Sequence, residues 1–123
     1  MVNKWEIYFC NLDPTTGSEQ RGTRPVLIIS TDSVNHNLTV STVLPLSSVK
    51  PTDKIYPTEV LLPTQVSGLP KLSVAMVQQI RTVSHNRLQN LAGKINEVEL
   101  ILQKMIEVRS SFVYPVQVNI RIV

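Results

Sequence analysis

Near Asn96 the hydrophobic period of this chain changes. Upstream, apolar residues come in short runs separated by turn residues. Downstream, Val98, Ile101, Leu102, Met105, Val108 and Phe112 recur at helical spacing. Asn96 is a good helix N-cap, Glu97 and Glu99 suit the positive end of a helix, and Pro115 marks a stop. The spacing predicts one amphipathic helix over 97–113. Several short strands followed by one long helix leave few architectures for 123 residues. The expected one is a small, mostly antiparallel barrel or curled sheet with the helix packed on it.

The strands are read from short runs of β-forming residues. Residues 6–11 carry Ile7, Tyr8, Phe9 and Cys10. Val26-Leu27-Ile28-Ile29 is an unbroken apolar run behind Pro25, which marks a buried central strand that starts where a missing N–H is tolerated. Further strands are expected over 38–46, 58–62, 91–95 and, as one or two, 72–83. A helical turn capped by Ser84 is expected over 84–87. A long polar loop, from Asp13 to Arg24, joins the first two strands, and loops of that length in small domains tend to carry function. The segments 47–56 and 63–71 read as loops. Val116, Val118, Ile120 and Ile122 alternate with polar residues, so the tail over 114–123 is either an added edge strand or a frayed end of a single domain over 1–113.

Composition removes several functions. Cys10 is the only cysteine, and with His36 and His85 it offers no zinc set. Four glycines include no phosphate-loop spacing. No metal and no cofactor are expected. The start of the chain lacks an apolar leader, and no run approaches the ~20 apolar residues of a membrane helix. A cytoplasmic protein without a membrane partner is expected. The net charge of +3 is compatible with an anionic partner.

Metal-free chemistry on a phosphodiester that has a neighbouring hydroxyl needs few parts, because that hydroxyl can attack the phosphate itself. The protein must move protons and stabilise charge on the phosphorane. Arginine suits the second role, because its planar fork matches phosphate and keeps its charge. Arg24 stands where the long loop enters the buried strand, and Ser47 and Ser48 end the third strand. If those strands form a hairpin, Arg24 and Ser47 share one rim of the sheet. Taken alone, Arg24 reads first as a solvated loop residue, and Ser47-Ser48 as turn chemistry. His36 and His85 read as surface-turn residues, Glu59 as a solvated strand residue, and Arg81 as a structural partner of a carboxylate or carbonyl. Lys50 and Lys54 could steer phosphate from a flexible loop.

The run Gly17-Ser18-Glu19-Gln20-Arg21-Gly22-Thr23-Arg24-Pro25-Val26-Leu27-Ile28 resembles the opening of MazF/PemK toxins. Pro45-Leu46-Ser47-Ser48 is similar to that family's proline, aliphatic, threonine, serine. Gln79-Ile80-Arg81-Thr82-Val83, followed by Arg87-Leu88, is similar to a third family segment. The resemblance runs from Lys4 to about Phe112. It implies a mostly β, α+β fold: a small SH3-like antiparallel β-barrel with a long C-terminal helix, working as a homodimer. It also implies the toxin of a type II toxin–antitoxin pair. Such a toxin is an endoribonuclease that cuts single-stranded RNA at short sequences, leaving a 2′,3′-cyclic phosphate and a 5′-OH. The implied partners are single-stranded RNA and a cognate antitoxin, whose acidic C-terminal segment covers the RNA groove. Contact with operator DNA would run only through the antitoxin. By position, Arg24 and Ser47 are the catalytic pair, and Glu19, Gln20, Gln78, Gln79 and Ser48 are substrate-binding. Three positions depart from the family pattern. Ser47 replaces threonine, Gln78 stands where an acid is common, and Trp5 stands where glycine is usual. The alternatives are a homologue that only binds antitoxin and a CcdB-like gyrase poison.

Overall fold

The computed structural model describes residues 1–96 and 98–112. Its strands are β1 (Glu6–Asn11), β2 (Thr23–Ile28), β3 (Val40–Ser48), β4 (Glu59–Leu62), β5 (Ser73–Met76), β6 (Arg81–Ser84) and β7 (Leu88–Lys94). The helices are α1 (Asp32–Asn37), α2 (Thr64–Ser67) and α3 (Glu99–Phe112), with 3-10 turns at Val77–Gln79 and His85–Arg87. The strand order is β4-β5-β3-β2-β1-β7, and β6 also pairs with β3. Every strand pair is antiparallel. The α+β class is as expected, but the barrel is not closed. Among the described residues β4 and β7 end the sheet without pairing to each other. Within the sheet, β3 exchanges partners along its length.

One edge of β3 is covered first by β6, through Val43↔Arg81, and then by β5, through Leu46↔Ala75. Leu44 and Pro45 are left opposite the longer segment from Met76 to Ile80. Pro45 has no N–H to give a ladder. The surplus residues leave the sheet as the 3-10 turn Val77–Gln79.

The run Val26–Ile29 is apolar throughout because both faces of β2 are buried. Leu27 and Ile29 join Ile7, Leu44 and Leu46 on one side, where Ile101, Val98 and Met105 seat α3. Val26 and Ile28 join Cys10, Leu12, Val43 and Val83 on the other. The helix starts at Glu99 rather than at residue 97, and the N–H groups of Ile101 and Leu102 both donate to the Val98 carbonyl. Val98, not Asn96, therefore takes the place before its first turn. The tail over 114–123 lies outside the described residues.

The two shorter helices lie in segments whose polar residues read as loops. In α1, Asn35 is buried rather than exposed. Its Oδ1 accepts from the hydroxyls of Ser30 and Ser41, and its Nδ2 donates to the Ser30 carbonyl. Ser41 Oγ lies 2.8 Å from His85 Nε2. The single Ser41 proton already goes to Asn35, so His85 must donate from Nε2. His85 is thus part of a buried network, while His36 is exposed as expected. Ser84 caps the second 3-10 turn by accepting from Asn86 N–H, as the sequence indicates.

Trp5 has φ 72°, a left-handed conformation that glycine adopts without steric cost. Backbone bonds on both sides hold it there, from its N–H to Ile28 and from Ile95 N–H to its carbonyl. At Gly93 the need for glycine is a close approach. A Cβ there would overlap the Ser67 carbonyl oxygen at the end of α2. Gly93→Ala is expected to lower stability by about 1–3 kcal/mol. A urea-unfolding midpoint equal to that of the parent protein would refute this account.

Candidate active site

The β2–β3 ladder ends at Val26↔Pro45. Beyond it Pro25 offers no N–H. β2 stays with β1 through Cys10↔Arg24, while β3 turns to β5 through Ser47↔Val74. The two strands part, and a groove of about 540 Å³ opens between them. Arg24 and Ser47 both line it, with Ser48, Arg21, Lys71 and Phe9 among the other walls. The hairpin geometry expected from the sequence thus brings the arginine and the alcohol to one groove. Arg24 lies on the second strand itself rather than on the loop before it.

Arg24 is half-buried, and its Nε donates to the Arg21 carbonyl at 2.9 Å. This bond fixes the guanidinium plane. Both Nη groups have no bond to a described residue, so four N–H donors remain for an anion. The Ser47 hydroxyl likewise has no side-chain partner among the described residues. Arg21, Arg24 and Lys71 are all cations, and no carboxylate lines the groove. Such a cleft favours a phosphodiester.

The long loop is tightly held at its base. Leu12 N–H donates to the Gly22 carbonyl at 2.9 Å, and Gly22 N–H donates to Asp13 Oδ1 at 3.1 Å. Gly22 has φ 77°, which permits this closure without a Cβ clash. Arg81 donates to the Leu12 carbonyl at 3.0 Å, the structural role expected of it, and Arg87 donates to the carbonyls of Asn11 and Asp13.

Beside the groove is a smaller pocket of about 170 Å³, lined by Glu19, Gln20, Gln78 and Gln79, with Pro45, Ile80 and Arg81. The site residues therefore fall in two adjoining places: Arg24, Ser47 and Ser48 in the groove, and the other four in the pocket. Gln79 serves the loop. Its Oε1 accepts from Gln20 N–H and its Nε2 donates to the Ser18 carbonyl, both at 3.2 Å. Glu19 Oε1 accepts from Thr16 N–H at 2.6 Å. The acid that Gln78 replaces would thus border the pocket, not the groove.

Cys10 pairs with Arg24 in the ladder but is buried. Burial pushes its thiol pKa up, against the lowering effect of Arg81 and Arg87, so the neutral thiol is favoured over a nucleophilic thiolate. Glu59 bonds Tyr56 N–H away from the groove. Lys54 lies over the Tyr56 ring at 5.3 Å, and Lys50 lines a cleft next to the groove. The groove's own lysine is Lys71, and its second arginine is Arg21. Sequence reasoning misses both, because loop cations carry no periodic signal. Among the described residues, no group of three His, Cys, Asp or Glu could hold a metal, and no helix is long and apolar enough to cross a membrane.

A family model described as "PemK-like, MazF-like toxin of type II toxin-antitoxin system" matches residues 3–110. Endoribonuclease EndoA of Bacillus subtilis is 35% identical over 88 residues, which is 72% of this chain and 75% of that protein. Endoribonuclease MazF of Staphylococcus epidermidis is 33% identical over 101 residues, 82% of this chain and 83% of that protein. A crystal structure of MazF from Deinococcus radiodurans superposes with a TM-score of 0.73 at 25% identity, covering 88% of this chain and 96% of its own.

Proposed function

The chain belongs to the PemK-like, MazF-like toxins of type II toxin–antitoxin systems, and from that premise we propose that it cuts single-stranded RNA in the groove that Arg24 and Ser47 share. It is an endoribonuclease, as its EndoA and MazF relatives are named. Its partners are RNA and a cognate antitoxin, and it works in the cytoplasm as a homodimer. The observation that carries the site assignment is the common groove, cationic and without carboxylates.

The substrate supplies the nucleophile. The ribose 2′-oxygen bonds to phosphorus, and the bond from phosphorus to the 5′-oxygen breaks. The 2′-hydroxyl proton leaves to water through the open groove, and the departing 5′-oxygen takes a proton from water there, while Arg24 keeps its charge. The free Nη groups stabilise the phosphorane as negative charge develops, and the Ser47 hydroxyl donates to a non-bridging oxygen. The products are a 2′,3′-cyclic phosphate and a 5′-OH. No step requires a metal, because the attacking oxygen already lies next to the phosphate.

Incubation of a long RNA with the protein and excess chelator tests this reading. Discrete cleavage with cyclic-phosphate and 5′-OH ends is expected. A protein that halts growth while leaving RNA intact in this assay would instead favour poisoning of another target.

A further inference from the structure

The groove is a wedge. The last rung between its walls is Val26↔Pro45, and from there β2 and β3 diverge. Arg24 and Ser47 stand near the narrow end. Two more cations stand toward the open end, one on each wall. Arg21 is three residues before Arg24, at the end of the long loop, and Lys71 leads into β5. Val74 is the ladder partner of Ser47, so Lys71 lies three residues further out, about 10 Å along the strand. That is within one side-chain length of the next phosphate of an extended chain.

Neither cation is spent, and both are exposed. Arg21 gives one Nη2 N–H to the Gly17 carbonyl at 2.9 Å, which leaves the rest of its fork for an anion. The Lys71 ammonium bonds to no described residue. Past Lys71 the groove continues into a second cleft of about 470 Å³, which shares Ser48 and Lys71 with it. The carboxylate on that cleft, Asp53, is held by the Lys50 N–H at 2.8 Å. A chain lying over Arg24 and Ser47 therefore has a way out past Lys71.

We propose that Arg21 and Lys71 form a second phosphate subsite, which holds the phosphate next to the scissile one across the open end of the groove. The inference rests on the endoribonuclease reading above. A phosphodiester carries one negative charge, and the Arg24 fork with the Ser47 hydroxyl already serves its oxygens. Two further cations exceed what that group needs and match a second one. Arg21 then has two separable roles. Its main-chain carbonyl anchors Arg24 Nε at 2.9 Å, and its side chain takes the neighbouring phosphate. A phosphate that does not react is held equally in the ground state and the transition state. The subsite therefore acts on affinity and on the placing of the chain, not on the chemical step.

The test uses a short RNA with one cut site, in which each phosphate beside the cut is replaced in turn by an uncharged methylphosphonate. Single-turnover cleavage by the parent protein, Arg21→Ala and Lys71→Ala gives a plateau rate and a half-saturating protein concentration for each RNA. Arg21→Ala keeps the carbonyl that anchors Arg24, and the loop stays closed through Leu12, Asp13 and Gly22. Each substitution should raise the half-saturating concentration about 10-fold, and the effect should fall there rather than on the plateau rate. In the parent protein, one of the two neutral linkages should raise it similarly. In Arg21→Ala that same linkage should cost little more, because both changes remove one contact. Lys94→Ala takes an equal charge from β7, outside the groove, and should change neither number. An unchanged half-saturating concentration in Arg21→Ala or Lys71→Ala overturns the proposal while leaving the nuclease reading intact. So do losses from Arg21→Ala that multiply with those from both neutral linkages. Absence of cleavage by the parent protein removes both.

Discussion

Arg24→Ala is expected to lower the rate of RNA cleavage by about 10³-fold or more, the scale seen when a preorganised charge donor is removed from a transition state. The effect should be this large because Arg24 is half-buried on β2 with its plane fixed by the Nε bond, while the groove's other guanidinium, Arg21, is exposed on the loop. Arg21 spends a guanidinium N–H on the Gly17 carbonyl at 2.9 Å, and Lys71 is a point charge on a flexible stem. Arg24→Lys should recover little. A lysine keeps the charge but has neither the Nε anchor on the Arg21 carbonyl nor two parallel donors. Arg24 is half-buried at the edge of the core, so the variants should keep the parent far-ultraviolet circular dichroism. Wild-type cleavage by a folded Arg24→Ala would remove the arginine from the mechanism.

Ser47→Ala should cost roughly 10–100-fold, the worth of one hydrogen bond to a charged oxygen. Ser47→Thr should restore the parent rate, because it keeps the hydroxyl, and its branched methyl narrows χ1. The two losses should not add. With Arg24 absent, the phosphate is no longer held against β3, and the double variant should be little slower than Arg24→Ala alone. Single-turnover rates at saturating RNA would show this. Strict additivity would mean that the two side chains act on different phosphates.

Much of this site can be read along the chain. The Pro25–Ile29 run marks a buried strand, so Arg24 must stand at its mouth, and Pro45-Leu46-Ser47-Ser48 must end the next strand. Their convergence follows from an antiparallel hairpin, the shortest connection between sequential strands. The family resemblance supplies the roles. Lys71 cannot be found this way. It reaches the groove only because β5 pairs with the end of β3, bringing a segment more than twenty residues downstream beside Ser47. The resemblance implies an RNA contact at Gln79, and its engagement with Ser18 and Gln20 depends on contacts across about sixty positions. His85 reads as a surface residue because its neighbours are polar, yet β6 sets it against the buried Ser41.

Local chemistry by itself determined the strands, the long C-terminal helix and the long loop, because hydrophobic period and turn residues act over a few positions. Only the tertiary structure decided that the sheet stays open, that the candidate site residues divide between a cationic groove and a smaller pocket, and which polar side chains are already engaged. Those outcomes depend on strand register and on where β3 changes partner. Both are settled by packing between residues far apart in the chain, which no short window of residues can express.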